Sequence, residues 1–193
     1  MKQQNIVIFA SGTGTNAAKL MDYFKASNYI KVVALITNNA NSGAILQAQK
    51  HNINHYIFEN NTFEEGQDIV LKLAELETSY IILAGFIRRI SINIIERFEE
   101  RIINLHPSLL PKYGGKGMYG DRVQKAVIEN KEKESGITIH LVDEVFDRGR
   151  KIAQFYVFLN SNETILTLKN KIQQLEHHYF APTIEQYIKL KEN

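Results

Sequence analysis

The stretch NIVIFASGTGTNA, residues Asn5–Ala17, decides the fold. It opens as a short, nearly unbroken apolar run, the composition of a strand buried on both faces. The run breaks at Ser11-Gly12-Thr13-Gly14-Thr15-Asn16, where glycines let the backbone turn tightly and approach a ligand. A helix-like segment from Asn16 to about Ala26 follows. The free N–H groups at its start suit an anion, a phosphate above all. Gly12 to Ala17 also satisfies the dinucleotide pattern G-x-G-x-x-A. The next strand, however, ends in Thr37-Asn38-Asn39, with no acid to hold a ribose diol. That disfavours an NAD-dependent oxidoreductase, and no Gly-Lys-Ser/Thr follows to make a nucleotide P-loop.

Outward from this unit, strand and helix alternate. Strands are expected at residues 31–37, 54–58, 80–84, 101–105, 136–142 and 152–159. Helices are expected at 16–26, 43–51 and 91–98 and over the last thirty residues, which Pro182 should interrupt. Thr62-Phe63-Glu64-Glu65 fits a capping box that would open a further helix, with Val70, Leu73 and Leu76 on one face. The alternation predicts an α/β fold: a Rossmann-like, mostly parallel sheet with helices on both faces. The 193 residues fit one domain, residues 1–193.

Composition removes several function classes. There are no cysteines, so disulfides and thiolate metal sites are excluded. The histidines form no metal-binding spacing such as H-E-x-x-H, and no metal is expected. Lys and Arg number 23 against 21 Asp and Glu, too balanced for a nucleic-acid footprint. No apolar run approaches the length of a membrane span and no secretory leader is seen, which reads as a cytoplasmic protein. Small-molecule substrates are the expected partners, with the chain a monomer or homodimer.

In parallel sheets ligands bind beyond the carboxyl ends of the strands. Four strand ends are unusual here. The first is the glycine turn already quoted. The second, Leu83-Ala84-Gly85-Phe86-Ile87-Arg88-Arg89-Ile90, runs from a buried strand into an apolar and basic turn. The third, RIINLHPSLLP at Arg101–Pro111, sets Asn104 and His106 two residues apart where the strand ends, and the glycine-rich Lys112–Gly120 follows as a flexible loop of the kind that makes lids. The fourth, Asp143-Glu144-Val145-Phe146-Asp147-Arg148-Gly149-Arg150, is an acidic turn ending in basic residues. A histidine near neutrality exchanges protons, and a carboxylate beside it raises its pKa and orients the ring. An asparagine amide can donate to an oxygen that becomes negative during acyl transfer. Asn, His and Asp together suit transfer of a carbonyl carbon to an amine. The competing reading is a phosphate-binding module without catalysis, for which that trio would have no use.

Those stretches resemble the folate-dependent phosphoribosylglycinamide formyltransferases. The resemblance rests on IVIFASGTGTN, LAGFIRRIS, RIINLHPSLLPKYGGKGMYG, ESGITIHLVDEVFDRG and QQLEHHYFAP, which occur in the family's order from about Asn5 to Pro182. It implies that a formyl group passes from 10-formyltetrahydrofolate to the amine of 5-phosphoribosylglycinamide, in purine synthesis. Related initiator-tRNA formyltransferases and formyltetrahydrofolate deformylases carry an added domain, so the length fits the purine enzyme. The resemblance further implies that Asn104 holds the formyl oxygen, that His106 moves the proton and that Asp147 raises its pKa. Gly14, Thr15 and Asn16 would hold the phosphate, with Gln173 and Glu176 toward the ribose. Ile87, Arg88, Arg89 and Ile90, with Asn104, Asp143, Glu144 and Asp147, would line the folate site. Three departures stand out. Thr13 replaces the usual Asn. Arg148 and Arg150 bring positive charge near Asp147, which would weaken its hold on His106. Gly66 falls about where the family often has an arginine near the folate tail.

Overall fold

A computed structural model describes residues 2–192. The chain forms two compact units, one reaching to Asn104 and joined by the residues from Lys191, the other Leu105–Leu190.

The first unit contains strands β1 (Gln4–Phe9), β2 (Ile30–Thr37), β3 (Asn54–Ile57) and β4 (Tyr80–Leu83). Strand β5 (Ile102–His106) begins in it and carries the chain into the second unit. The order is β3-β2-β1-β4-β5, and every pairing is parallel. Ile6, Val7, Ile8 and Phe9 are all fully buried. Successive strand residues point to opposite faces, so β1 is covered on both, as its unbroken apolar run anticipated. Helices α1 (Thr15–Phe24), α2 (Gly43–Lys50), α3 (Asn60–Glu65), α4 (Gln67–Glu75) and α5 (Ile92–Arg97) fill the connections. The chain order turns back at β1, with β2 on one side and β4 on the other. That switch point is where an open α/β sheet leaves a crevice for ligand.

The capping box is corrected. Thr62 lies inside α3, which starts at Asn60. Phe63 is fully buried, edge-on to Phe9 and Phe58, and fixes that turn. Gly66, at φ 81°, ends α3 and opens α4, the left-handed conformation that glycine tolerates. In α4 the buried residues are Ile69 and Leu73, with Val70 and Leu76 half-buried.

The second unit holds α6 (Asp121–Glu129), the hairpin of β6 (Glu134–Leu141) and β7 (Lys151–Phe158), and most of α7 (Ile165–Lys191). Strands β6 and β7 pair antiparallel, with a register irregularity at Ile139/His140. Phe155 stacks on Tyr179 at 3.8 Å, tying α7 to β7. Pro182 does not interrupt α7. A mid-helix proline deprives the carbonyl four residues earlier of its donor. That carbonyl belongs to His178, and both His178 and Pro182 are exposed, so the turn around it is open to solvent. Leu168 and Ile172 before the proline, and Phe180, Ile184 and Ile188 after it, are buried and hold one continuous helix. Helix α6 was not anticipated from sequence.

His51 at the end of α2 reaches back to α1. Its Nδ1–H donates to Gln47 O at 2.7 Å and its Nε2–H to Asp22 Oδ1 at 2.9 Å. The Gln47 carbonyl, then Asp22, raise its pKa above the ordinary histidine value. A raised folded-state pKa contributes stability below the unfolded pKa and loses it as pH rises through the folded one. His51→Ala is therefore expected to flatten the decline in Tm as pH climbs from about 6.5; an unchanged Tm–pH curve would remove this pair from the balance.

Candidate active site

In the first unit the loops after β1 and β4 are tied together at the switch point. Ser11 N donates to Gly85 O at 3.2 Å, and Ile87 N donates to Ser11 Oγ at 3.3 Å. Ser11 Oγ in turn donates to Asn38 Oδ1 at 2.6 Å, and Asn39 Nδ2 donates to Ser11 O at 3.2 Å. The two asparagines that lack the charge for a ribose diol thus brace the glycine turn. Ser42 Oγ and Ala44 N both donate to Gly12 O, at 2.8 and 3.2 Å. Gly14 sits at φ 79°, and a Cβ there would lie 2.4 Å from Ala44 Cα. Helix α1 starts with no side chain capping it and no acid in its first turn. Gly12, Thr13 and Thr15 are exposed and Asn16 is half-buried. A rigid, electropositive turn at a helix start is an anion cradle. Ile87, Arg88 and Arg89 are exposed, whereas the Ile90 side chain is buried.

Gly66 cannot stand in for an arginine. A Cβ on it would fall 1.9 Å from Ser91 Oγ. The local packing of α4 against the start of α5 requires glycine there.

Asn104 and His106 lie two apart on β5, and strand periodicity turns both to the same face. In the second unit His106 is buried and held at both nitrogens. Nε2–H donates to Tyr113 O at 2.8 Å, and Nδ1 lies 3.6 Å from Asp147 Oδ1. The other oxygen, Asp147 Oδ2, accepts from Gly115 N at 2.8 Å. Tyr113 is anchored by its hydroxyl, which donates to Glu132 Oε1 at 2.7 Å. Burial, helped by Glu132, pushes the Tyr113 phenol up to about 12. Ser108 Oγ donates to Lys112 O at 3.0 Å, so the Lys112–Gly115 part of the loop expected to be flexible is bonded into the site. The turn before it is pinned to the hairpin: Lys151 Nζ and Gln154 Nε2 both donate to Leu110 O, at 2.8 and 3.0 Å.

Two opposed effects set the electrostatics of His106. Burial pulls the His106 pKa below its ordinary value, outweighing the opposite pulls of Asp147 and the Tyr113 carbonyl. Asp147 does favour the charged ring, but the net direction is down. For Asp147 itself burial pushes upward and is overcome by His140, His106 and the Gly115 N–H, so its carboxyl stays below the usual range.

The arginine expectation is corrected. Arg148 is exposed, and the Arg150 guanidinium lies 6.0 Å from the Tyr187 ring. The depressed carboxylate owes its shift to the two histidines and the loop amide. Arg148→Ala should accordingly leave the acidic limb of a rate–pH profile in place; a displaced limb would restore the arginine to the site.

Asp143 and Glu144 are exposed, and Asp143 Oδ1 accepts from Val145 N at 2.9 Å, shaping its own turn. On α7, Glu176 is half-buried and Gln173 exposed, one turn apart. Sequence reasoning missed His140. Its Nε2 lies 3.6 Å from Asp147 Oδ1, and its Nδ1–H donates to Leu141 O at 2.7 Å. The signal was present in GITIHLV: period two puts Gly136, Thr138 and His140 on one face and Ile137, Ile139 and Leu141 on the other.

A family model described as formyl transferase matches residues 4–184. The phosphoribosylglycinamide formyltransferase of Bacillus subtilis is 31% identical over 97% of this chain and 96% of its own. The chloroplastic phosphoribosylglycinamide formyltransferase of Vigna unguiculata is 35% identical over 96% of this chain, which spans 61% of that relative's length. The crystal structure of phosphoribosylglycinamide formyltransferase from Brucella melitensis matches with a TM-score of 0.87 at 30% identity, over 96% of each chain. That from Bacillus halodurans gives 0.86 at 32% identity, over 95% of this chain and 94% of the other.

Proposed function

Since the chain belongs to the formyl transferase family, we propose that it acts as one domain, residues 1–193, transferring a formyl group from 10-formyltetrahydrofolate to the amine of 5-phosphoribosylglycinamide. The observation that carries this reading is the pairing of buried His106 with half-buried Asp147 at the end of a strand that also presents Asn104 on the same face. Formylglycinamide ribonucleotide and tetrahydrofolate are the products, within purine synthesis.

The chemistry follows from the residues. The substrate amine attacks the formyl carbon, and the oxygen takes up negative charge that the Asn104 amide stabilises by a hydrogen bond. In the tautomer that carries its hydrogen on Nδ1, toward Asp147, His106, kept neutral by burial, accepts at Nε2 the proton the amine sheds and returns it to N10 of the folate as the C–N10 bond breaks. One C–N bond forms, one breaks, and the proton passes from amine to N10. The Tyr113 carbonyl occupies the place at Nε2 that a reacting group would take. Gly14, Thr15 and Asn16 hold the phosphate, with Gln173 and Glu176 toward the ribose. Ile87 to Ile90, Asn104, Asp143, Glu144 and Asp147 serve the folate. The partners are these small molecules, not nucleic acid or membrane, and the chain works in the cytoplasm as a monomer or homodimer. Among the described residues no helix is long and apolar enough to cross a membrane, and no cluster of side chains could hold a metal ion.

The test is absorbance-followed transfer from 10-formyltetrahydrofolate, with and without the ribonucleotide. Amine-dependent transfer that His106→Ala abolishes is the expected result. Folate deformylation without the ribonucleotide would overturn the assignment in favour of a hydrolase, and binding without transfer would reduce the chain to a ligand-holding module.

A further inference from the structure

The Tyr113 carbonyl that reaches His106 belongs to a residue in the left-handed region, φ 55°, which bulky side chains rarely adopt. Such strain persists only where the surroundings over-determine it. Three bonds do so here. Ser108 Oγ donates to Lys112 O at 3.0 Å, Gly115 N donates to Asp147 Oδ2 at 2.8 Å, and the Tyr113 hydroxyl donates to Glu132 Oε1 at 2.7 Å. Lys112 Nζ donates to the same Glu132 oxygen at 3.0 Å. Lys112 is exposed, and an exposed ion pair contributes little, so the half-buried Tyr113 is the main hold. Glu132 thus grips this segment from the turn between α6 and β6. The Tyr113 hydroxyl, then Lys112, keep its carboxyl below the usual range against the effect of burial.

A carbonyl only accepts, so His106 Nε2 carries hydrogen while Tyr113 O lies 2.8 Å from it. That holds for a neutral ring and for an imidazolium alike. In neither can Nε2 take a proton from an amine, and the carbonyl fills the space in front of it. Formyl transfer needs the opposite arrangement: Nε2 uncovered and bare, with the ring hydrogen on Nδ1 toward Asp147 Oδ1, 3.6 Å away. The bonded segment therefore covers the proton-accepting nitrogen and keeps its hydrogen on the wrong side. Gly115, two residues beyond Tyr113 at φ 94°, has open space beside its Cα and leaves the chain a pivot past the grip.

We propose that Glu132 is a positioning residue that latches the Lys112–Tyr113 segment over His106, and that the Tyr113 carbonyl must withdraw before the amine can react; this rests on the functional reading above. As the carbonyl leaves, water takes the proton from Nε2 and returns one to Nδ1, so the charge of the ring is unchanged. The Asp147 carboxylate favours the new tautomer, which turns an N–H toward it in place of a bare lone pair. Glu132 acts through Tyr113 and Lys112 and touches no reactant. Substrate that displaces the carbonyl works against the latch, so apparent affinity is lowered by the fraction of molecules that stand open.

Two measurements test this on the full chain. Tyr113→Phe removes the hydroxyl and keeps the ring, while Glu132→Gln weakens the same bond from the other side. Each should raise kcat/KM about threefold to tenfold, because more molecules stand open. An unchanged or lower kcat/KM in variants that still unfold cooperatively would make the segment an ordinary part of the working site and overturn the proposal. Ring-nitrogen NMR of the protein without substrates, with His106 assigned by the signals lost in His106→Ala, should find Nε2 protonated. Tyr113→Phe should shift that hydrogen toward Nδ1. A bare Nε2 in the unaltered protein, or Nε2 protonation unmoved in both variants, would overturn the latch. If Tyr113→Phe fails to fold, Glu132→Gln carries both readouts; if neither folds, the ring of the unaltered protein decides. The NMR needs no turnover. A chain that transfers no formyl group but frees Nε2 in Tyr113→Phe fails the functional reading and keeps the latch, whereas one that transfers with a bare Nε2 at rest fails the latch alone.

Discussion

Asp147→Asn is expected to lower kcat for formyl transfer by about 10²- to 10⁴-fold, with ribonucleotide affinity nearly intact. The substitution keeps the shape and the left-handed backbone, since asparagine tolerates φ near 56° as aspartate does. It removes the charge. His106 is then left with burial and no carboxylate to oppose it, so its pKa falls further. The acidic limb of the rate–pH profile should shift to lower pH while the plateau collapses. The glycine turn of Gly14 to Asn16 belongs to other elements and keeps its own bonds. Steady-state kinetics beside a binding titration make the comparison. Equal turnover would remove Asp147 from the mechanism, and a matching loss of ribonucleotide affinity would recast it as a structural residue.

The second large effect is expected at Gly14. Alanine there must adopt a left-handed conformation, at roughly 1–2 kcal/mol. Its Cβ would also enter the backbone of Ala44, 2.4 Å away, where α2 begins. Overpacking of that kind costs about 1–3 kcal/mol more. Because Gly12 O is held by Ser42 and Ala44 of the same helix start, the turn cannot move away without losing those bonds. Gly14→Ala should lower the denaturant midpoint by an amount reflecting both costs. It should also weaken ribonucleotide binding at least tenfold, since the free N–H groups at the start of α1 no longer converge. Unchanged stability and affinity together would show that α2 yields and that the phosphate sits elsewhere.

Much of this was legible in the sequence because a period was legible. Buried parallel strands announce themselves as apolar runs, and NIVIFA and YIILA were found within a residue or so of their ends. The unusual strand ends followed from fold topology. What escaped reading depended on tertiary partners. Thr62 carries the spacing of a cap, but Phe63 has an aromatic pocket to fill, and the helix forms around it. Pro182 carries the chemistry of a break, yet buried side chains on either side outweigh one missing bond at an exposed turn. Helix α6 is amphipathic over only nine residues and begins after four glycines, where the loop signal prevailed. His140 looked like one more residue of a strand; only the return of the chain after β6 brings Asp147 to it. The sign of the His106 shift needed burial, which no spacing reports.

Asp147 combines two demands that the genetic code cannot satisfy separately. Its backbone sits at φ 56°, in the left-handed region that glycine, asparagine and aspartate adopt most readily. Its oxygens must carry charge to both histidines and the Gly115 amide. Asparagine and glycine satisfy the first demand and lack the charge; glutamate has the charge, but its extra methylene moves the carboxylate away from its partners. In a selection from a fully randomised position 147, only aspartate should return.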